Sequence, residues 1–89
     1  MKFYYVYVLC NFENKWFYIG FTDDLQARYY QHHDGKVQST AHWKRFELIF
    51  YEAYRNQYDA IRREKYLKTS KGKTTLKSML REFLKNIIF

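Results

Sequence analysis

The spacing of apolar positions along this chain changes period several times, and each change marks an element. "KFYYVYVLC" (2–10) is dense in aromatic and β-branched residues and holds no turn former, which predicts a buried strand. "NFENK" (11–15) is a polar turn and "WFYIG" (16–20) a returning strand, so the two should pair as an antiparallel hairpin. Thr22 or Asp23 can then cap a helix over about 24–33, closed by Asp34 and Gly35. Residues 36–45 have no clear period and are expected to be a loop, and "FELIFYEAY" (46–54) reads as a third strand. Asn56, with Asp59 three residues on, should cap a second helix reaching about Thr69. "SKGK" (70–73) is expected to break it, and a last helix over about 74–86 carries Leu76, Met79, Leu80, Phe83, Leu84 and Ile87 at helical spacing. The order β-β-α-β-α-α predicts an α+β fold, a small three-stranded antiparallel sheet flanked by helices.

Composition narrows the picture. With 89 residues, no proline, no repeat and no linker-like tract, one domain spanning 1–89 is expected. Hydrophobic content is 47% and aromatic content 22%, enough for a packed core without covalent staples. The single cysteine, Cys10, cannot form an internal disulfide, which points to a reducing, cytoplasmic setting. No 18-residue apolar run and no signal-peptide layout are present, so no membrane association is expected.

Charge is unevenly placed. Residues 1–54 hold six Lys/Arg and six Asp/Glu, while residues 55–89 hold ten and three and so carry the whole net charge of +7. A solvated surface is the plain explanation. A basic half on a small domain also suits a polyanion, most often nucleic acid, with Arg62, Arg63, Lys65, Lys68, Lys71, Lys73 and Lys77 as its phosphate contacts.

Chemistry enters through polar residues on apolar stripes. On the first helix Leu25 and Tyr29 set the inward direction, yet Arg28 and His32, i, i+4 neighbours, fall within about 60° of Leu25. On the second, Glu64 lies among Ala60, Ile61 and Leu67. An inward carboxylate needs a partner, either a salt bridge to Arg28 or a lysine, or a metal. Hard cations often take only one or two protein carboxylates, with water and phosphate completing the shell. Alternation on the first strand puts Tyr5, Tyr7 and Leu9 on one face, and on the second Tyr18 shares a face with Gly20, where close backbone approach is allowed. Tyrosines, an arginine, a histidine and one carboxylate in a basic domain make a set suited to phosphodiester hydrolysis. Arginine neutralises phosphate oxygens, a metal stabilises the leaving oxygen, and a tyrosine or histidine handles a proton.

These residues, in this order, resemble the GIY-YIG nuclease superfamily over nearly the whole chain, and most of all its small stand-alone bacterial members, which are similar to the nuclease domain of the excision-repair C subunit. The first motif appears as Tyr5-Val6-Tyr7 and the second as Tyr18-Ile19-Gly20, with ten residues between Tyr7 and Tyr18. Arg28 and His32 fall at R-x-x-x-H positions, and "DAIRREKYLK" matches the helix that carries the metal-binding glutamate, here Glu64. The resemblance implies a DNA endonuclease using one divalent ion, Mg²⁺ or Mn²⁺, of low sequence specificity or structure-selective, with a role in DNA repair or recombination. It implies that Tyr7 is the general base or activates the attacking water and that Tyr18 helps place water or phosphate. Arg28 would bind the scissile phosphate, His32 would support proton transfer, and Glu64 would hold the metal. Three positions depart from the pattern: Tyr5 replaces the first glycine, His33 stands where asparagine is frequent, and the late phosphate-binding asparagine has no counterpart nearer than Asn86.

Two other chemistries fit poorly. Cys10, His32, His33 and His42 lack zinc-ligand spacing, and Cys10 sits at a strand end without a nucleophile motif. The serious alternative is a nucleic-acid- or partner-binding domain of the same fold without turnover. The terminal apolar helix, ending "NIIF", could then serve a homodimer or a protein partner.

Overall fold

In the computed structural model, which describes residues 1–42 and 45–87, three strands form one antiparallel sheet in the order β2-β1-β3. β1 (Tyr4–Asn11) and β2 (Trp16–Thr22) make the hairpin, with Tyr7 opposite Gly20 and Leu9 opposite Tyr18. The buried Asn11 shapes the turn, its side-chain oxygen accepting the backbone N–H groups of Glu13 and Asn14 at 2.9 and 3.0 Å. β3 (Phe46–Tyr54) spans the expected residues and pairs with the other edge of β1.

One irregularity in β3 was not anticipated. Val8 faces Phe50 but Leu9 faces Leu48, so Ile49 is an extra residue, a β-bulge. The bulge lets two consecutive residues, Ile49 and Phe50, pack on the same core.

The two faces of the sheet differ in chemistry. On one, Val6, Val8 and Ile19 meet Ala60 and Leu67 of α2 (Gln57–Leu67) and Leu76 of α3 (Ser70–Met79) in an aliphatic core. On the other, α1 (Leu25–His33) covers Tyr7 and Tyr18 through a layer of aromatic rings that includes Tyr29, His32 and Phe46. Asn56 caps α2 as expected, accepting from Tyr58 N–H at 2.8 Å.

Three expectations need correcting. α1 is capped by Asp24, not by Thr22 or Asp23, because its carboxylate takes Ala27 N–H at 3.1 Å while Thr22 bonds the backbone of Asp24. "SKGK" does not separate the later helices; it is the first turn of α3, capped by Thr69, whose hydroxyl accepts Gly72 N–H at 3.0 Å. The last helix is divided at Leu80, with a short α4 (Arg81–Lys85) beyond it, and Met79 and Phe83 are exposed. Within the expected loop a short 3₁₀ turn forms at Gln38–Thr40, whereas Trp43 and Lys44, and Ile88 and Phe89 of the terminal apolar run, lie outside the described residues. Among the described residues no helix is long and apolar enough to cross a membrane.

Candidate active site

Gly20 is the starting point because it makes room. A Cβ there would collide with the Tyr7 Cζ and hydroxyl, so only glycine lets the Tyr7 ring lie flat across β2. The ring is 1% exposed, and its hydroxyl points to α1.

α1 delivers Arg28 and His32 to that hydroxyl. Arg28 Nε donates to Tyr7 Oη at 3.4 Å, and Tyr7 Oη lies 2.8 Å from His32 Nε2. The i, i+4 pair therefore meets through the tyrosine. Beyond it, His32 Nδ1 lies 2.6 Å from Thr40 Oγ1. Arginine can only donate, and Tyr7 is sealed from water. Every member is satisfied when Tyr7 donates its proton to Nε2 and His32 Nδ1–H donates to Thr40. Tyr18 completes the group, its ring 6.1 Å from that of Tyr7 and 4.9 Å from that of His32.

Local chain chemistry holds this cluster in place. α1 ends in a Schellman motif, with Gly35 at φ +74° donating to His32 O and Lys36 N–H donating to Gln31 O. That turn sends the chain back through buried Val37 so that Thr40, 1% exposed, lies under the imidazole. Thr40 was missed in the sequence. It belongs to a stretch without period, and nothing but tertiary placement marks it.

Burial sets the protonation states. Desolvation pushes the Tyr7 hydroxyl up to about 12, against the pull of the Arg28 hydrogen bond. Desolvation, joined by the nearby Arg28 charge, lowers His32 to about 4. At neutral pH the site is thus a cationic arginine feeding two neutral groups. Arg28 is also held by Gln31, Nη1 donating to Oε1 at 2.9 Å, and lines a cleft of about 340 Å³ with Phe21, Thr22 and Ala27.

Glu64 is placed differently. It lies on the sheet-facing side of α2, in the layer opposite α1, with its side chain 15% exposed and Oε2 2.8 Å from Lys68 Nζ. Of the partners the sequence left open, a lysine is the one found. No hydrogen bond or ion pair among the described residues links Glu64 to Tyr7, Tyr18, Arg28 or His32. One carboxylate is the minimum a hard cation needs when water and phosphate supply the rest. Among the described residues no three His, Cys, Asp or Glu side chains gather as a metal cluster.

The remaining sequence candidates sort by what they touch. Arg63 is turned inward, its Nε and Nη2 donating to the two Glu52 oxygens at 3.0 and 3.2 Å. Lys68 is engaged by Glu64 and Arg62 by Asp59, though Arg62 stays largely exposed. Lys65, Lys71, Lys73 and Lys77 are exposed. Cys10 is buried, and desolvation raises its thiol to about 11, which leaves it inert.

The family model described as the GIY-YIG catalytic domain matches residues 3–77. The chain is 38% identical over 68 residues to a UPF0213 protein of Lacticaseibacillus paracasei, covering 75% of each chain. It is 40% identical over 67 residues to the UPF0213 protein YazA of Bacillus subtilis, covering 74% of this chain and 65% of that one. A UPF0213 protein of Bacillus halodurans, solved by solution NMR, superposes with a TM-score of 0.55 at 29% identity over 86% of this chain and 84% of the other. Tyr7 and Gly20, opposite each other across the hairpin, come from the two tyrosine-bearing motifs, and with the family model matching residues 3–77 the chain belongs to the GIY-YIG family.

Proposed function

We propose that this chain is a cytoplasmic endonuclease that hydrolyses DNA phosphodiester bonds with one divalent cation, Mg²⁺ or Mn²⁺. Its low sequence specificity or selectivity for DNA structure would suit repair or recombination. The observation that carries the reading is the relay from half-buried Arg28 through the buried Tyr7 to buried His32 and Thr40. A structural core has no need to line up a half-buried cation with two buried proton-transfer groups and a buried hydroxyl.

In this reading the Arg28 guanidinium holds a non-bridging oxygen of the scissile phosphate and stabilises the charge that grows there. A phenol near 12 is a poor tyrosinate base. Tyr7 instead takes a proton from the attacking water, which would reach its hydroxyl once the phosphate draws Arg28 aside, as its own proton passes to His32 Nε2. The incoming phosphate offsets the Arg28 charge, one of the two causes that keep His32 weakly basic. The water oxygen bonds to phosphorus, the P–O bond to the leaving sugar breaks, and that oxygen is protonated from solvent. Tyr18 positions the water or the phosphate. Glu64 would hold the cation, which when bound supplies Lewis-acid stabilisation of the phosphate and leaving oxygen.

The Glu64–Lys68 pair and its layer opposite α1 favour a second reading, a nucleic-acid-binding domain without turnover, in which Glu64 is a structural ion pair. In that case exposed Met79 and Phe83 would be the surface for a protein partner or a second copy. Nicking of supercoiled plasmid separates the two. The endonuclease should nick with Mg²⁺ or Mn²⁺ and stop on chelation. Glu64→Ala should lose nicking while its melting temperature stays within a few degrees, since desolvating an inward carboxylate offsets much of what its pairing with the half-exposed Lys68 adds. Metal-dependent nicking by folded Glu64→Ala would remove Glu64 from the mechanism, and a wild-type chain that binds DNA but never nicks it would establish the second reading.

A further inference from the structure

Trp16 opens the edge strand β2 and is 66% exposed. A bare indole costs the protein apolar surface in water, and this one is not isolated. With Lys15, Phe17, Lys73 and Lys77 it lines a cleft of about 310 Å³. Phe17 turns toward the core, which leaves the indole and three ammonium groups at the opening. None of the three lysines forms an ion pair among the described residues, whereas Lys2, Lys68 and Lys85 each have a carboxylate. The Asn11 turn fixes the hairpin end that presents Lys15 and Trp16.

The position relative to the catalytic group matters most. Alternation along β2 puts Trp16 on the same face as Tyr18 and Gly20, and because β2 is the sheet edge the cleft at Trp16 also reaches Lys73 and Lys77 of α3 on the other face. At the usual strand rise, Trp16 and Tyr18 are roughly 7 Å apart along the chain. An exposed aromatic face ringed by unneutralised cations is the arrangement that takes an unpaired base by stacking and its flanking phosphates by charge. A second copy of this chain would bring like charges together at the same place, which disfavours self-pairing.

We propose that Trp16, framed by Lys15, Lys73 and Lys77, is a subsite that stacks one unpaired base of DNA beside the cleavage centre. The substrate class is then DNA with a single-stranded or unstacked nucleotide next to the scissile phosphate, a deepening of the function proposed above that rests on it.

Binding is read from quenching of Trp16 fluorescence in a Trp43→Phe background, with chelator present so that no strand is cut. The probes are a 12-nucleotide oligothymidylate, a blunt duplex of equal length, and the same duplex with one unpaired thymidine. Quenching is expected with the oligothymidylate and the bulged duplex and only weakly with the blunt one. By anisotropy of labelled probes, Trp16→Ala should weaken the first two by about 5- to 100-fold, the range for one lost stacking contact, and leave the blunt duplex nearly unchanged. Trp16→Phe should recover most of the loss. Equal oligothymidylate affinity for Trp16→Ala and its parent overturns the subsite, as does sedimentation showing self-association that Trp16→Ala abolishes. If either result comes with intact plasmid nicking, only the subsite falls. A wild-type chain that neither binds nor nicks any DNA ends both proposals.

Discussion

An imidazole sealed among Tyr7, Tyr18 and Thr40 stays neutral where water would let it ionise, and this has a thermodynamic consequence. His32 is held down to about 4, below its ordinary value of 6.5. Between those values the unfolded chain binds a proton that the folded chain does not, so stability falls as pH falls through that window. The contribution is fully present above about pH 6.5 and is lost by about pH 4, on the order of 3 kcal/mol in all. Melting temperature should therefore drop more steeply from pH 7 to 4.5 in the wild type than in His32→Gln, and parallel slopes would show that His32 is not buried neutral. The inward placement of Arg28 and His32 could be read from the sequence because both sit on the stripe of Leu25. The hydroxyl of Thr40 could not, since its contact with His32 is made across a turn of eight residues and leaves no period behind.

Among elements, the boundary between α2 and α3 shows how a glycine can mislead. In the sequence Gly72 resembles a helix breaker. In the structure it is a buried helical residue with the C-terminal end of α2 directly against it, where a Cβ would strike Tyr66 O and Leu67 Cα. Those atoms are backbone and cannot step aside. Gly72→Ala should cost about 1–3 kcal/mol, the usual range for overpacking, despite alanine's better helix propensity. Chemical denaturation checks this, and a neutral or stabilising result would mean that α3 is free to shift away from α2. The strands were easier to read, because "FELIFYEAY" has one interpretation as an element. Its bulge at Ile49 was hidden, because β-propensity says nothing about pairing register. Met79 and Phe83 keep helical spacing with Leu76 and Leu80, yet the division of the helix at Leu80 leaves them outside the core.

Over the whole molecule, the sheet separates two kinds of work. One face carries the aromatic layer with the relay, and the other carries the aliphatic core under the basic helices. Lys65, Lys71, Lys73 and Lys77 remain available to phosphates, while Arg62, Arg63 and Lys68 are engaged by carboxylates. Duplex affinity should fall with added salt at a log–log slope of up to roughly −4 if all four lysines contact phosphates, at about 0.9 per phosphate contacted, and charge reversals at Lys71 and Lys73 should flatten it equally on unrelated sequences. An affinity indifferent to salt would exclude this surface as the DNA contact. The charge imbalance between the two halves of the chain was visible from the start. Which cations are already neutralised depends on Glu52 and Glu64, whose partners only folding reveals.

The central claim is that the Tyr7 hydroxyl moves a proton rather than merely filling the core, and single-turnover nicking by Tyr7→Phe tests it most directly. The ring still lies over Gly20, so folding and DNA binding should persist. The link between Arg28 and His32 is broken, and the nicking rate should fall by about 10²–10⁴-fold, the usual range for lost acid–base assistance. A folded Tyr7→Phe that nicks at the wild-type rate would contradict the relay, even in a protein shown to be a nuclease.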